Sequence, residues 1–256
     1  MVSSIDYGHG HRLAFSEAGD PGGYPVLVQH GMVASIRDTR LFGRLIAAGA
    51  CVISVARPGY GASSPYGMRD IAEWGDIVGV LADALGLAQF DVLGISSGAP
   101  YSYAIGHALP EKVRTIFILS GTPALYDPAI QALWPYPLTS DASIAELQAV
   151  ARAVFFPDPT EADLARDDVR DSMANDCFGI TLDLRLRCMG WGFRLSEVRA
   201  RVVMQHSRAD PQVPFVTAEM TAGPLPNCRL LVREDDEHFS PALLSAFIDG
   251  VMVTHH

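Results

Sequence analysis

Basic residues, paired cysteines and long apolar runs are all scarce in this 256-residue sequence. Lysine and arginine number 19 against 29 aspartates and glutamates, for a formal net charge of −10. A chain this acidic offers no cationic face for many phosphates, so we expect neither a nucleic-acid nor a membrane partner. The sequence lacks an apolar run of about 18 residues and an N-terminal leader pattern. We therefore expect a cytoplasmic protein.

The four cysteines are widely scattered, with no C-x-x-C spacing, so we expect reduced thiols rather than a disulfide framework or a zinc site. The sequence has no glycine-rich phosphate loop. His9 and His11 supply only two of the three or four ligands that a metal needs. We therefore expect no cofactor and no metal. With 49% hydrophobic and 19% charged residues, the chain is too apolar to be intrinsically disordered.

Short apolar runs alternate with a helical pattern in the first half of the sequence and return near its end. The predicted strands are residues 25–29, 51–56, 89–94, 113–120, 201–206 and 228–232. Residues 5–7 and 12–18 flank a Gly-His-Gly-His turn and predict a hairpin at the sheet edge. Over residues 69–86, apolar side chains recur at helical spacing. This alternation predicts a parallel sheet covered by helices.

The alternation stops between about residues 122 and 190. This stretch contains Pro- and Trp-rich loops and two acidic helical patterns, near 143–154 and 160–175. We interpret it as an inserted cap, so that residues 1–121 and 191–256 form the core and residues 122–190 the cap. After the last strand, Ser240 and Pro241 are typical of the first residues of a final helix.

The strongest chemical signal is the G-x-S-x-G pentad Gly94-Ile95-Ser96-Ser97-Gly98. The pentad alone is a weak signal, but it follows a predicted buried strand and precedes a helical pattern, the setting of a nucleophile elbow. There the serine backbone is strained, and glycines on both sides provide clearance. The pattern predicts Ser96 as a nucleophile; the alternative is a turn of small residues that packs a helix onto a sheet.

A serine hydroxyl needs a base, and the base needs an orienting group. His238 lies on the loop after the last predicted strand, where open α/β sheets place their sites, and is the predicted base. His255 and His256, which end the chain, are not considered as candidates for the base. Asp210 follows the preceding strand and is the predicted acid, because adjacent charges favour a solvated loop for Asp235 and Asp236. The alternatives are that His238 is a structural loop histidine and that Asp210 is a turn-forming aspartate before Pro211.

Acyl transfer also needs backbone donors for an oxyanion, typically the N–H after the nucleophile and another from an earlier loop. The N–H of Ser97 is the first expected donor. The N–H of Met32 is the second, on the loop that follows strand 25–29, where Gly31 permits a close turn. His30 is expected to tie this loop by hydrogen bonds.

The order Ser96, Asp210, His238, with the His-Gly loop and residues 57–63 (RPGYGAS), resembles the α/β-hydrolase superfamily over nearly the whole chain. This resemblance implies a mostly parallel eight-stranded sheet flanked by helices, a small helical cap after the sixth strand, and a serine esterase-like site at their junction. A nucleophilic serine argues against the epoxide hydrolase and dehalogenase branches, which use aspartate. Ser207 stands where many members have glycine.

We therefore predict a cofactor-free serine hydrolase that cleaves an ester, lactone or related acyl bond of a small, largely apolar substrate. The same fold leaves two alternatives open, a small-molecule receptor and a non-hydrolytic enzyme for C–C or C–CN cleavage or cofactor-free oxygenation. The sequence predicts no oligomeric state. Apolar side chains of the cap and of the loops near the triad are candidates to line the pocket: Trp134, Tyr136, Phe155, Phe156, Phe178, Trp191, Val213 and Phe239.

Overall fold

The computed structural model describes residues 1–138 and 141–253 and contains one eight-stranded sheet. Its strands are β1 (Val2–Asp6), β2 (Arg12–Gly19), β3 (Tyr24–Gln29), β4 (Ala50–Val55), β5 (Phe90–Ile95), β6 (Val113–Leu119), β7 (Arg201–Ser207) and β8 (Cys228–Arg233). Their spatial order is β1-β2-β4-β3-β5-β6-β7-β8. Strands β3 to β8 are parallel, and the β1–β2 hairpin is antiparallel at one edge. The predicted mostly parallel α/β sheet and its edge hairpin are confirmed.

The order of the strands locates the site before any side chain is considered. Strand β3 lies between β4 and β5, so the chain changes its direction of winding there. In open α/β sheets, ligands bind outside the carboxyl ends of the strands at such a switch point. Strands β4 and β5 are buried at every residue, as expected for parallel strands covered on both faces. The loops that follow β3 and β5 therefore start from rigid positions.

Helices cover both faces of the sheet. They are α1 (Gly43–Ala47), α2 (Ala72–Ala84), α3 (Ala99–Ala108), α4 (Pro128–Gln131), α5 (Ile144–Phe155), α6 (Glu161–Ala165), α7 (Asp167–Leu186), α8 (Phe215–Ala222) and α9 (Pro241–Phe247). A hydrophobic cluster on one face includes Trp74 of α2 and Tyr103 of α3. The cluster on the other face includes Leu45 of α1 and Phe247 of α9. The apolar stripes of these helices thus pack on the sheet.

Helices α4 to α7 lie between β6 and β7, the stretch that we interpret as the cap; its division from the core stays a prediction. The pattern at 160–175 predicted one helix, but the chain forms α6 and then α7, which runs on to Leu186. The geometry of α7 is interrupted at residues 174–177, where Asn175, Asp176 and Cys177 have positive φ angles. A third hydrophobic cluster joins cap residues such as Leu147 and Ile180 to Tyr60 of the core.

Within residues 1–138 and 141–253, none of the helices combines the length and the apolar character that crossing a bilayer requires. His255 and His256, which the sequence interpretation left out of the chemistry, lie outside the described residues. Helix α9 begins as predicted, because the Ser240 side chain accepts a hydrogen bond from the N–H of Leu243 at 3.0 Å.

Candidate active site

The pentad forms a sharp turn between β5 and α3. Ser96 has a φ of 49°, a left-handed conformation that a non-glycine residue adopts only when its surroundings hold it there. A Cβ atom on Gly98 would lie 2.1 Å from the Gln29 carbonyl oxygen. A Cβ atom on Gly94 would lie 2.3 Å from the Ser102 Oγ. Gly98 is therefore required sterically because its neighbours are backbone atoms, whereas a side chain at position 94 would displace the side chains of Ser102 and Ile118. The turn presents the Ser96 hydroxyl at the carboxyl end of the sheet.

Three predicted residues form one chain of hydrogen bonds. His238 Nε2 lies 3.0 Å from Ser96 Oγ, and His238 Nδ1 lies 2.8 Å from Asp210 Oδ2. His238 and Asp210 are buried, at 8% exposure each. They follow β8 and β7, whose carboxyl ends lie at the same edge of the sheet as the end of β5. This geometry is compatible with the predicted roles of a nucleophile, a base and a group that orients the base.

The loop after β7 surrounds the Asp210 carboxylate with donors. The backbone N–H groups of Gln212 and Val213 donate to Asp210 Oδ1 at 2.8 and 2.9 Å. Burial alone would raise the pKa of Asp210, but the hydrogen bonds from His238 and Val213 outweigh it, and the pKa lies below the usual aspartate value. Asp210 is therefore an ionised acceptor directed at His238 Nδ1.

His206 is a residue of this site that the sequence interpretation missed. Its Nε2 donates to the Val213 carbonyl at 2.9 Å and lies 3.4 Å from Asp210 Oδ2. Burial lowers the pKa of His206, so the ring is neutral and carries its proton on Nε2. His206 thus holds the acid loop against β7. A polar residue in a buried strand, four positions before the acid, was the available signal.

Ser207 connects the acid loop to the histidine loop. Its Oγ lies 2.6 Å from Asp235 Oδ1 and 2.8 Å from the Glu237 carbonyl oxygen. The other carboxylate oxygen of Asp235 accepts a hydrogen bond from Arg233 Nε at 2.8 Å. The Asp235 carboxylate is thus engaged by β7 and Arg233, whereas Asp210 faces the imidazole.

The predicted oxyanion loop passes beside Ser96. A Cβ atom on Gly31 would lie 3.8 Å from the Ser96 Cβ, so the chain is close to the nucleophile here. His30 Nδ1 lies 2.8 Å from the Gly31 carbonyl oxygen, and its Nε2 accepts the N–H of Arg57 at 3.3 Å. Burial first, and then the charge of Arg57, hold the pKa of His30 well below its usual range. The His30 ring is therefore neutral and holds this loop by hydrogen bonds, as expected.

The chain is similar in sequence to known hydrolases. A family model described as the alpha/beta hydrolase family matches residues 26–246. The chain belongs to this family. An uncharacterized hydrolase, YcgS, of Bacillus subtilis (strain 168) is 28% identical over 138 residues. That alignment covers 54% of this chain and 45% of the relative, so the chain spans less than half of that relative's length.

Solved structures of low sequence identity share the fold of this alpha/beta hydrolase family member. An esterase (EaEST) from Exiguobacterium antarcticum superposes with a TM-score of 0.72 at 19% identity, covering 98% of this chain and 95% of its own. Est816, described as an N-acyl homoserine lactone degrading enzyme, superposes with a TM-score of 0.69 at 18% identity, covering 97% of this chain and 100% of its own. At these identities the likeness shows the fold.

The predicted pocket residues lie in different surroundings. Trp191 is a correction, because its side chain is 1% exposed and packs in the core against Tyr103 and Tyr126, which leaves no free face for a ligand. Phe156 is buried and Phe155 half-buried between cap and core. Trp134 lies 5.7 Å from the Arg187 guanidinium. Tyr136 contacts Trp134 edge-on, and Phe178 is half-buried against the core.

Two of the predicted pocket residues are next to triad residues in the structure. Phe239 follows His238 directly and is 38% exposed. Val213 is buried, and its backbone binds Asp210 and His206. Among the described residues, no group of three or more histidine, cysteine, aspartate or glutamate side chains is arranged to hold a metal.

Proposed function

We propose that this protein is a cofactor-free serine hydrolase that cleaves an ester, lactone or related acyl bond of a small, largely apolar substrate. Ser96 Oγ attacks the acyl carbonyl carbon while His238 Nε2 takes the hydroxyl proton. The proton then passes to the leaving group, and a water molecule activated by His238 releases the acid from the acyl-enzyme. Asp210 holds the imidazole and stabilises its positive charge.

One observation carries the proposal: the continuous hydrogen-bonded chain from Ser96 through His238 to Asp210, with the serine held at a φ of 49°. A receptor that only binds a ligand has no need for a strained serine aligned with a buried base. The oxyanion would be held by the N–H groups of Ser97 and Met32. Membership of the alpha/beta hydrolase family supports hydrolysis, and the lactone-degrading fold neighbour makes lactones a substrate class to test.

The proposed setting is cytoplasmic, and the proposed partner is a small acyl substrate alone. All four cysteines are unpaired in the structure, as is typical of proteins in reducing compartments. The net charge of −10 supports neither a nucleic-acid nor an anionic membrane partner.

The test is turnover of p-nitrophenyl esters of increasing acyl length and of a homoserine lactone series, with intact-mass detection of an acyl adduct. Ser96→Ala should lower kcat by at least about 10³-fold and abolish the adduct, because the triad acts as a unit. Ser97→Ala is the matched control and should change kcat little, since that residue contributes its backbone N–H. Activity should persist in EDTA.

The outcomes separate the alternatives. An adduct on the wild type that Ser96→Ala removes supports the hydrolase. Tight ligand binding without an adduct or turnover from any ester or lactone would favour the receptor. Greater loss in Ser97→Ala than in Ser96→Ala would place the nucleophile one residue later.

A further inference from the structure

A buried ion pair connects the cap to the core directly behind the oxyanion loop. Arg57 follows β4, and Asp183 lies on α7 of the cap. Arg57 Nε donates to Asp183 Oδ1 at 3.1 Å and Nη2 donates to Oδ2 at 2.6 Å, in a two-pronged contact. The two side chains are 1% and 3% exposed. The geometry of the triad does not explain this pair, because neither side chain bonds to Ser96, His238 or Asp210.

The Asp183 carboxylate is saturated with donors. The Tyr101 hydroxyl donates to Oδ1 at 2.6 Å, and the Tyr60 hydroxyl lies 2.8 Å from Oδ2. Burial raises the pKa values of both tyrosines well above the ordinary range, so both hydroxyls keep their protons. A carboxylate with this many charge-assisted and neutral hydrogen bonds has a single orientation.

The other side of the Arg57 guanidinium contacts the oxyanion loop. Nη1 donates to the His30 carbonyl at 2.6 Å, and Nη2 donates to the Gly31 carbonyl at 3.1 Å. The Gly31 carbonyl belongs to the same peptide group as the Met32 N–H, which is the expected oxyanion donor. It also receives the His30 Nδ1–H at 2.8 Å. The carbonyl of this one peptide therefore accepts two donors, one of them cationic.

Two donors on a carbonyl polarise the whole peptide group. Hydrogen bonds that share a polarisable group strengthen one another by roughly 10–30% per bond. A proton donor on the other end of this peptide, the Met32 N–H, thus becomes a stronger donor toward a negative oxygen. The fixed guanidinium also holds the peptide plane in one orientation, as an oxyanion site requires.

Stability alone is a weak reason for such a pair. Burying two charges costs desolvation free energy, and well-packed apolar residues often replace a buried ion pair without loss of stability. The contacts of Arg57 with both loop carbonyls give the pair a second role. A cap residue, 126 positions away in sequence, thereby acts on the oxyanion loop.

We propose that Arg57 and Asp183 are positioning residues for the oxyanion hole, with the cap supplying Asp183 to orient Arg57 against the peptide that carries the Met32 N–H. This inference rests on the proposed function. It makes the cap a part of the machinery for acyl transfer as well as a cover over the substrate.

The test compares Arg57→Lys and Tyr101→Phe with the wild type. Lysine keeps the charge next to Asp183 but cannot contact both carbonyls, so kcat should fall about 10- to 100-fold, less than for full loss of an oxyanion donor. Tyr101→Phe removes one donor from Asp183 and should lower kcat about two- to fivefold. KM for a p-nitrophenyl ester should change less than about threefold in both. The inhibition constant of phenylboronic acid, whose serine adduct places an oxygen in the oxyanion hole, should rise in parallel with the loss of kcat.

Leu186→Ala is the matched control. Leu186 also lies on α7 and is 1% exposed, but it belongs to the hydrophobic cluster that contains Trp74 and Tyr103, not to the cluster against which Met32 packs. The substitution should destabilise the protein while kcat and phenylboronic acid affinity stay within about twofold of the wild type. A structural role alone would instead affect Leu186→Ala and the Arg57 variant alike.

The two proposals fail in different ways. If Ser96→Ala keeps full turnover, the hydrolase mechanism is wrong and this inference falls with it. If turnover depends on Ser96 but kcat and phenylboronic acid affinity are unchanged in folded Arg57→Lys, this inference alone is overturned. Should Arg57→Lys fail to fold, Tyr101→Phe decides: an unchanged kcat overturns the inference, and a parallel loss of kcat and phenylboronic acid affinity supports it.

Discussion

His238 and Asp210 are held mainly by loops of the sheet domain, whereas the loop that carries Met32 is held by Arg57 and, through it, by Asp183 of the cap. On the acid side, the bonds are local and use neutral donors, such as the N–H groups of Gln212 and Val213. On the oxyanion side, they use a buried ion pair to α7. The two halves of one site therefore depend on different parts of the molecule.

This difference separates two kinds of sensitivity. Loss of the Asp210 carboxylate should lower the catalytic rate but leave the packing of the cap on the core intact. Loss of a partner on the oxyanion side leaves a charge buried without compensation, which costs stability. Substitutions on the acid side should therefore lower activity more than stability, and substitutions of the Arg57–Asp183 pair should lower both.

The first prediction concerns the acid side. Asp210→Asn should lower kcat by about 10³- to 10⁴-fold, because an amide neither holds the required histidine tautomer nor offsets the imidazolium charge. Ligand affinity and the free energy of unfolding should change little. Asp235→Asn is the control and should lower kcat no more than a few-fold, since that carboxylate contacts Ser207 and Arg233 and not the imidazole. Single-turnover acylation by stopped flow measures the effect, and an unchanged rate in Asp210→Asn would remove Asp210 from the triad.

The second prediction concerns the oxyanion side. Asp183→Asn should lower the free energy of unfolding by about 3–5 kcal/mol, because it leaves the Arg57 guanidinium buried and unpaired. Arg152→Gln is the control, because it removes an exposed ion pair with Asp176 and should change stability by less than about 0.5 kcal/mol. Urea denaturation measures both. Equal losses in the two variants would show that the buried Arg57–Asp183 pair matters no more for stability than an exposed ion pair does.

The third prediction concerns the contact between the two triad loops. Ser207→Ala removes the hydroxyl that contacts Asp235 and Glu237, so it should cost about 1 kcal/mol of stability and lower kcat a few-fold by loosening the His238 loop. Ser245→Ala removes an exposed hydroxyl bonded to the Pro241 carbonyl and is the control. Steady-state kinetics and thermal unfolding compare them; identical kinetics in both variants would limit Ser207 to a structural role.

The fourth prediction compares His30 and His206, two buried histidines outside the Ser96–His238–Asp210 chain. Both have a pKa below the usual value, so above about pH 6.5 neither the folded nor the unfolded state binds the proton, and their contribution to stability is complete. As the pH falls further, the unfolded chain takes up protons that the folded chain does not. The free energy of unfolding then falls by at most about 1.4 kcal/mol per pH unit for each group.

The wild type should accordingly have a lower Tm at about pH 5.5 than at about pH 7. His30→Gln should flatten this dependence more than His206→Gln, because Arg57 lowers the pKa of His30 further while Asp210 partly restores that of His206. His9→Gln, at an exposed turn, serves as the control. If His206→Gln flattened the pH dependence of Tm more than His30→Gln did, the result would contradict this electrostatic explanation.

Sequence patterns predicted the strands and the three side chains that the structure brings together, because each of those signals is local. Ser96 lies between two glycines of the pentad, and Asp210 and His238 lie on the loops that follow β7 and β8. Parallel strands bring their carboxyl ends to one edge, so residues that follow strands become neighbours without further information. Helix α7 was less predictable, because its second half has no simple apolar period and packs on both the core and the cap.

The residues that support the site were not predictable in the same way. Arg57 directly after a buried apolar strand indicates that some carboxylate must accompany it, since a buried charge needs a partner. Nothing in the neighbouring sequence says that the partner is Asp183, or that Trp191 packs in the core. These assignments depend on how the cap packs on the sheet and its helices.

By itself the sequence determined the sheet, the order of its chemical residues along the chain and the turn that presents Ser96, because steric limits and strand alternation act between near neighbours. The tertiary structure decided which carboxylate of the cap holds Arg57. This choice is among groups that are far from Arg57 in the chain and that could each satisfy the same charge. Only packing of the loops and the cap around the sheet removes the alternatives, because burial makes every unpaired polar group costly.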